Sequence, residues 1–371
     1  MMSKPAFRDE PIVNGRQLCM FAAFLMPVTK LLTVPSLLAE AKGDLLFPAL
    51  LHFISQALVL GAILFLASKT DKSFFELLEN TFGRIFAKNV YLLFAAYFVF
   101  SVLLPLLDME RFVYSAFFDT APSMCTFCVF FVVAAFICTK NFKAFGRSAD
   151  LCMPLFLLSF IGLMAMSVGV SDFSALLPVG KTPFSATLQS MKRTFLYFSD
   201  TALFLPLLGH YRYKKGDGKK VLFSYGLGAL FVLFFLAVFF GIFSSIATKQ
   251  TFAFVKTAQY FPALSVVGRF DFLLVYLMTV ILVLYYCLVL QSATYCFCKA
   301  FEIKKKVLPA AILNLGLFFY TTLCNKNYHS LSSFFLEKFF WIFPLFACLV
   351  PVLCLFLRRG EKRKKETPHA Q

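Results

Sequence analysis

Phe24-Leu25-Met26-Pro27-Val28-Thr29-Lys30-Leu31-Leu32-Thr33-Val34-Pro35 is an apolar run interrupted by a lysine and two prolines. Its flanks extend it to residues 16–41, long enough to cross a hydrocarbon core of about 30 Å as a helix of about 20 residues. Proline lacks an N–H and its ring clashes with the preceding turn, so Pro27 and Pro35 are expected to unwind this helix. A charge midway along such a run costs about 2.5–3.5 kcal/mol on insertion scales unless it meets a partner or water. A polar, proline-broken segment at membrane depth survives only where it is packed in protein or lines a cavity. The stretch therefore points to a bundle of membrane helices with something at its centre.

The rest of the chain agrees. Of 371 residues 60% are hydrophobic and 15% charged, with a mean hydropathy of +0.79. Apolar runs recur along the whole chain. They are continuous rather than alternating, which selects helices over a barrel. Spans are expected near 16–41, 44–68, 87–107, 121–139, 148–169, 185–208, 220–246, 266–298, 307–324 and 336–357. The polar stretch 70–86 is expected to form an amphipathic surface helix. No cleavable signal is evident, because the first sixteen residues are polar and a full-length span follows.

Charge placement tests this segmentation. With the N-terminus in the cytoplasm, 25 of the 36 Lys and Arg residues fall on the cytoplasmic side, 10 fall outside, and Lys30 lies within a span. That asymmetry is the topogenic positive-inside pattern. The clusters Arg212–Lys220, Lys304–Lys306 and Arg358–Lys365 share a side only if even numbers of spans separate them, and ten spans satisfy that. The net charge of +17 sits between apolar runs, with no basic and aromatic platform for nucleic acid. The bilayer is the expected partner, and nucleic acid is not.

Ten spans divide into five plus five, and an odd-numbered unit repeated inserts in opposite orientations. The expected fold is thus an all-α integral membrane protein with a five-plus-five inverted repeat. Residues 1–15 form a tail, 16–169 and 185–357 the two repeats, and 358–371 a basic tail. On this plan the first and sixth spans correspond, and both are expected to be discontinuous. Phe195-Leu196-Tyr197-Phe198-Ser199-Asp200-Thr201-Ala202-Leu203-Phe204-Leu205-Pro206 aligns with the opening stretch at Phe24/Phe195, Leu25/Leu196 and Pro35/Pro206, with a polar cluster at the same place in each.

Asp200 stands one position from the counterpart of Lys30 and has the opposite charge. The two are expected to face each other across a central cavity, as an ion pair or a proton-titratable couple. The alternative is that one snorkels to an interface as a topogenic charge. Exposed half-helix ends there offer N–H dipoles to an anion and carbonyls to a cation. Pro27, Thr29, Lys30, Leu31, Thr33, Ser199, Asp200 and Thr201 are the candidate ligand-binding residues. The competing reading of the prolines is a set of simple kinks.

Other polar residues are expected to be interfacial anchors. Asp108, Glu110 and Arg111 close the third span, Asp150 opens the fifth, Lys192 and Arg193 lead into the sixth, and Arg269 and Asp271 open the eighth. Cys125 and Cys128 form a C-x-x-C without a second ligand pair, and His52, His210, His329 and His369 share no ligand spacing, so no metal or cofactor is expected. No Walker motif, G-x-S-x-G elbow or nucleotide loop occurs, so nothing supports an enzyme.

Several segments resemble the endospore germination permeases, the B subunits of nutrient germinant receptors within the amino acid–polyamine–organocation superfamily. Arg16-Gln17 precedes the first span, and Leu32 through Ala39 (LTVPSLLA) is similar to that family's first broken helix. Met109 through Thr120 leads to Ala121-Pro122, as its fourth span begins. Phe145 through Pro154 (FGRSADLCMP), Asp172 through Gly180 (DFSALLPVG) and Arg269-Phe270-Asp271 resemble its segments around spans five and eight. The resemblance implies a LeuT/APC-like fold with a site between spans 1, 3, 6 and 8. It also implies a role in sensing amino acids or similar small nutrients in the spore inner membrane, beside an A-type membrane subunit and a C-type lipoprotein. The alternative is an autonomous proton-coupled amino-acid or amine transporter.

Overall fold

The computed structural model describes residues 13–70, 72–117, 123–178, 180–211, 213–260 and 270–353. The N-terminal tail before Val13, Ala121-Pro122, Arg269, His369 and the basic tail lie outside the described residues, as does the side chain of Cys125. Among the described residues every regular element is helical, apart from one β-bridge between Val13 and Tyr211.

Leu46–Ala67, Arg84–Phe117, Asp217–Lys249, Asp271–Ala300 and Val307–Lys338 are each long and apolar enough to cross a membrane. Two bent pairs also qualify: Gly15–Leu31 with Val34–Asp44, bent by 66°, and Phe142–Leu151 with Met153–Val168, bent by 41°. Pro154 lies inside the second pair and, having no N–H for the Asp150 carbonyl, accounts for its kink. The expected fourth, sixth and tenth spans hold shorter helices: Ser123–Cys138, Phe184–Phe198 continuing to Leu207, and Ile342–Leu353.

The polar stretch after the second span forms the helix Phe74–Phe82. Ser73 and Glu76 close its N-terminus reciprocally as a capping box, satisfying two otherwise orphaned donors. Phe74, Phe75, Leu77 and Leu78 are buried while its other face is open. It is the expected amphipathic surface helix.

Lipid tails are as apolar as the side chains, so helices in a bilayer associate by close packing rather than by escaping water. Gly228 shows this at the centre. A Cβ there would lie 2.6 Å from the Ala23 carbonyl oxygen and 2.6 Å from Pro27 Cγ. Only glycine lets Asp217–Phe243 press its backbone against the first span. Phenylalanines fill the space around that contact, with Phe24 stacked on Phe231 and Phe235 on Phe239.

Both helices singled out by their prolines lose α geometry mid-course. In the first, a π turn at Phe21–Leu25 precedes Pro27, a 3-10 turn spans Thr29–Leu31, and Leu32 leaves the helical region (φ −91°, ψ −82°). The break thus falls at Leu32-Thr33, between the two prolines. Pro35 opens the second half, in the first turn where a missing N–H costs nothing. The freed Leu32 carbonyl accepts the Ala253 N–H at 2.8 Å, so the loosened backbone is satisfied by protein. In the sixth segment α geometry ends at Phe198, gives way to a 3-10 turn over Ser199–Leu203, and resumes for Phe204–Leu207.

Candidate functional site

The two breaks meet. Lys30 Nζ lies 2.5 Å from Asp200 Oδ2 and also donates to the Met26 carbonyl at 2.8 Å. Both side chains are 1% exposed, so the snorkelling alternative is set aside. The Phe198 ring centroid lies 5.2 Å from Nζ, and cation–π attraction adds to the support of the ammonium. Asp200 Oδ1 is also buried, and among the described residues it has no hydrogen-bond partner. One carboxylate oxygen is thus committed and the other remains an open acceptor.

Asp200 borders a void of about 20 Å³ together with Thr29, Tyr97, Ser101, Ser199 and Tyr285, enough for about one water. Helix Arg84–Phe117 supplies Tyr97 and Ser101, and the Tyr97 hydroxyl donates to the Ser199 carbonyl at 3.2 Å. Pro105, in the same helix, has no N–H to give the Ser101 carbonyl, and both residues line the void. Helix Phe270–Ala300 closes it with Tyr285 and Tyr286.

The eight candidate residues divide. Thr29, Ser199 and Asp200 line the void, and Lys30 holds Asp200. The Thr33 hydroxyl reaches Asp108 at 3.4 Å. The Thr201 hydroxyl donates to Gln56 Oε1, and Gln56 Nε2 reaches Cys348 Sγ at 3.3 Å. Pro27 and Leu31 instead face an apolar pocket with Phe24, Phe156, Phe160 and Phe231.

Asp108 departs from the expected anchor role. Helix Arg84–Phe117 runs ten residues past the expected end at 107, leaving Asp108 1% exposed and Glu110 2% exposed. Asp108 accepts the Tyr197 hydroxyl at 2.5 Å on Oδ2 and the Tyr328 hydroxyl at 2.5 Å on Oδ1. The Arg111 guanidinium stacks 4.2 Å from the Tyr328 ring centroid. Tyr197 also lines the void, so this cluster forms one wall of the site. His52, which shares no ligand spacing with the other histidines, is fully buried beside the site. It stacks on Phe198 at 4.3 Å, and its Nε2 lies 3.1 Å from both the Met191 carbonyl and the Thr194 hydroxyl. Arg193, by contrast, grips Glu40 and Glu337 at 2.7 Å each and is not free for a ligand. Among the described residues no group of His, Cys, Asp and Glu could hold a metal.

The family described as "Spore germination protein" matches residues 17–329, a stretch that covers both breaks, Asp108 and Tyr328. The chain belongs to that family. No curated protein matches this germination-family chain in sequence. Among solved structures, MhsT in complex with L-phenylalanine aligns with a TM-score of 0.64 at 10% identity, over 95% of this chain and 100% of that one. A Na+-coupled sialic acid symporter aligns at 0.55 and 12% identity, over 88% and 78%. A mutant manganese transporter of Eremococcus coleocola aligns at 0.59 and 12% identity, over 94% and 83%. At such identities the likeness establishes the fold alone, a transporter fold of the LeuT type.

Proposed function

We propose that this chain is the permease-like membrane subunit of a spore nutrient-germinant receptor, binding an amino acid or similar small nutrient at the meeting of its two broken helices. The observation that carries this reading is the unpartnered Asp200 Oδ1 beside the void. A buried acceptor with an open lone pair favours a ligand that brings a donor, such as an ammonium group. Thr29, Ser199 and Tyr97 line the void in which such a group would sit.

The size of the void fits a site that opens to admit its ligand. About 20 Å³ admits no amino acid, so a ligand binds only by parting the walls that Tyr97, Tyr197 and Tyr285 contribute. Binding is then linked to a change of shape, and the ligand shifts that equilibrium by its differential affinity for the opened form. A- and C-type subunits, in this reading, sense the change at the spore inner membrane. In this reading both termini lie in the cytoplasm, which is supported at the N-terminal end by the Val13 N–H donating to the His210 carbonyl at 2.8 Å, beside the start of the basic segment Arg212–Lys220.

The second reading is an autonomous proton-coupled amino-acid or amine transporter, which the Lys30–Asp200 couple favours as a proton-exchanging pair. Two measurements separate them. Spores carrying Asp200→Asn should lose the germination response to amino acids while the receptor subunits still assemble. Proteoliposomes of the wild-type chain should show no accumulation of labelled amino acids under a proton gradient. Gradient-driven accumulation would establish the transporter instead, and normal germination of Asp200→Asn spores would remove the proposed site from both readings.

A further inference from the structure

A second and much larger concavity lies at the ends of the two broken helices, away from the breaks themselves. The connections after the first span, before the sixth and after the seventh enclose a cup of about 880 Å³, within the size range of small-molecule sites. Ala39, Leu177, Pro183 and Phe240 give its lining an apolar part, and Lys42, Lys181, Ser244, Ser245 and Thr248 a polar one.

The charges in this cup are unevenly committed. Glu40 is held by Arg193 at 2.7 and 2.8 Å. Asp44 accepts the Gly180 N–H at 2.6 Å and the Thr182 N–H at 2.8 Å. Both acids are therefore occupied in building the wall. Lys42 and Lys181 are exposed, and among the described residues neither side-chain ammonium has an ion-pair or hydrogen-bond partner. The cup presents two free ammonium groups and three hydroxyls beside the apolar part of its lining.

The cup is also rigidly built. The Thr182 hydroxyl donates to the Ala41 carbonyl at 2.9 Å, and a Cβ on Gly43 would lie 3.1 Å from the Leu176 carbonyl oxygen. Four non-glycine residues among those described have positive φ, and two of them, Lys42 (φ 52°) and Ser244 (φ 42°), line this cup. Side chains held where the backbone favours glycine concentrate at ligand-binding positions.

We propose that this cup binds a small organic anion, with a carboxylate or phosphate head between Lys42 and Lys181 and an apolar body against the apolar lining. A free metabolite and an anionic lipid headgroup share that chemistry. The site is separate from the Lys30–Asp200 pair and does not depend on its role.

The test uses the full chain in nanodiscs of neutral phosphatidylcholine, titrated with phenyl phosphate and with hexanoate at matched ionic strength. Saturable binding of at least one is expected. Each ammonium lost removes a charge-assisted hydrogen bond, so Lys42→Gln and Lys181→Gln should each weaken binding about tenfold. Lys42→Arg should retain it, and because the readout is anion binding by the isolated wild-type chain and its Lys variants, it stands or falls apart from the germination response that tests the central site. If nanodiscs containing phosphatidylglycerol block the soluble probe, the natural occupant is a lipid headgroup; if they do not, it is a soluble anion. Failure of both anions to bind, equal binding of neutral hexanamide, or affinities unaltered by the two Lys→Gln variants would overturn the proposal.

Discussion

Lys30 Nζ and Asp200 Oδ2 stand 2.5 Å apart although 170 residues separate them in the chain. Both side chains are 1% exposed, so removing one partner strands the other. Breaking a buried pair typically costs about 3–5 kcal/mol, whereas replacing both partners is often close to neutral. Lys30→Met and Asp200→Asn should therefore each lower the melting temperature sharply in nanodiscs. The double variant should recover most of the loss, read as a strongly non-additive double-mutant cycle. Additive losses would show that the pair carries no coupling.

Gly228 fixes how close helix Asp217–Phe243 comes to the first helix ahead of its break. A methyl group there meets the Ala23 carbonyl oxygen and Pro27 Cγ at 2.6 Å, and backbone cannot yield as a side-chain tip can. Gly228→Ala should cost about 1–3 kcal/mol, the usual range for overpacking. Gly61→Ala, whose new methyl would sit 4.0 Å from Leu222 Cδ1, should be nearly silent. Thermal melts of the two variants side by side provide the check.

The contrast between Lys30 and Asp108 shows what the sequence makes legible. A lysine flanked by prolines in an apolar run has no comfortable alternative to a buried partner, and the matching aspartate could be found by aligning two proline-bearing spans. Asp108 lies in the polar string Asp108-Met109-Glu110-Arg111, which reads as a membrane boundary. Only the continuation of its helix to Phe117 carries it inside. Its partners Tyr197 and Tyr328 lie 89 and 220 residues away, with no periodicity linking them. The amphipathic helix Phe74–Phe82 is legible because Asp71, Lys72, Glu76, Glu79 and Arg84 make the stretch 70–86 polar between two apolar runs, a local signal. His52 and Gln56 fall one helical turn apart in an otherwise apolar span, a signal that could have marked that face as inward.

The three hydroxyls on Asp108 should not be equivalent. The Tyr197 and Tyr328 hydroxyls donate at 2.5 Å each, whereas Thr33 lies at 3.4 Å, where a hydrogen bond is weak. A buried carboxylate that loses a good donor loses about 1–3 kcal/mol. Tyr197→Phe and Tyr328→Phe should each destabilise by that order, and Thr33→Val by much less. Equal losses for all three would mean that Asp108 does not hold the wall through its hydroxyl donors. Melting curves in a single lipid composition give the ranking.

Glu302 provides the expected pH dependence. It sits in the turn between two spans with φ 58°, and accepts from Lys88 at 2.7 Å and from Arg84 at 2.5 and 3.0 Å. The Lys88 hydrogen bond, followed by that of Arg84, holds its carboxyl below the ordinary glutamate range. A folded-state pKa below the unfolded one gives stability that is present above about pH 4.3 and lost as pH falls through the folded value. The clasp is half-exposed, so its effect should be small and should weaken further with salt. Glu302→Gln should remove that increment, so the difference in melting temperature between wild type and variant should shrink below about pH 4. Glu302→Gly also deletes the clasp but relieves the left-handed backbone, and should melt above Glu302→Gln at neutral pH. A wild-type minus Glu302→Gln difference that stays constant from pH 7 to pH 3 would show that the carboxylate contributes nothing through Arg84 and Lys88.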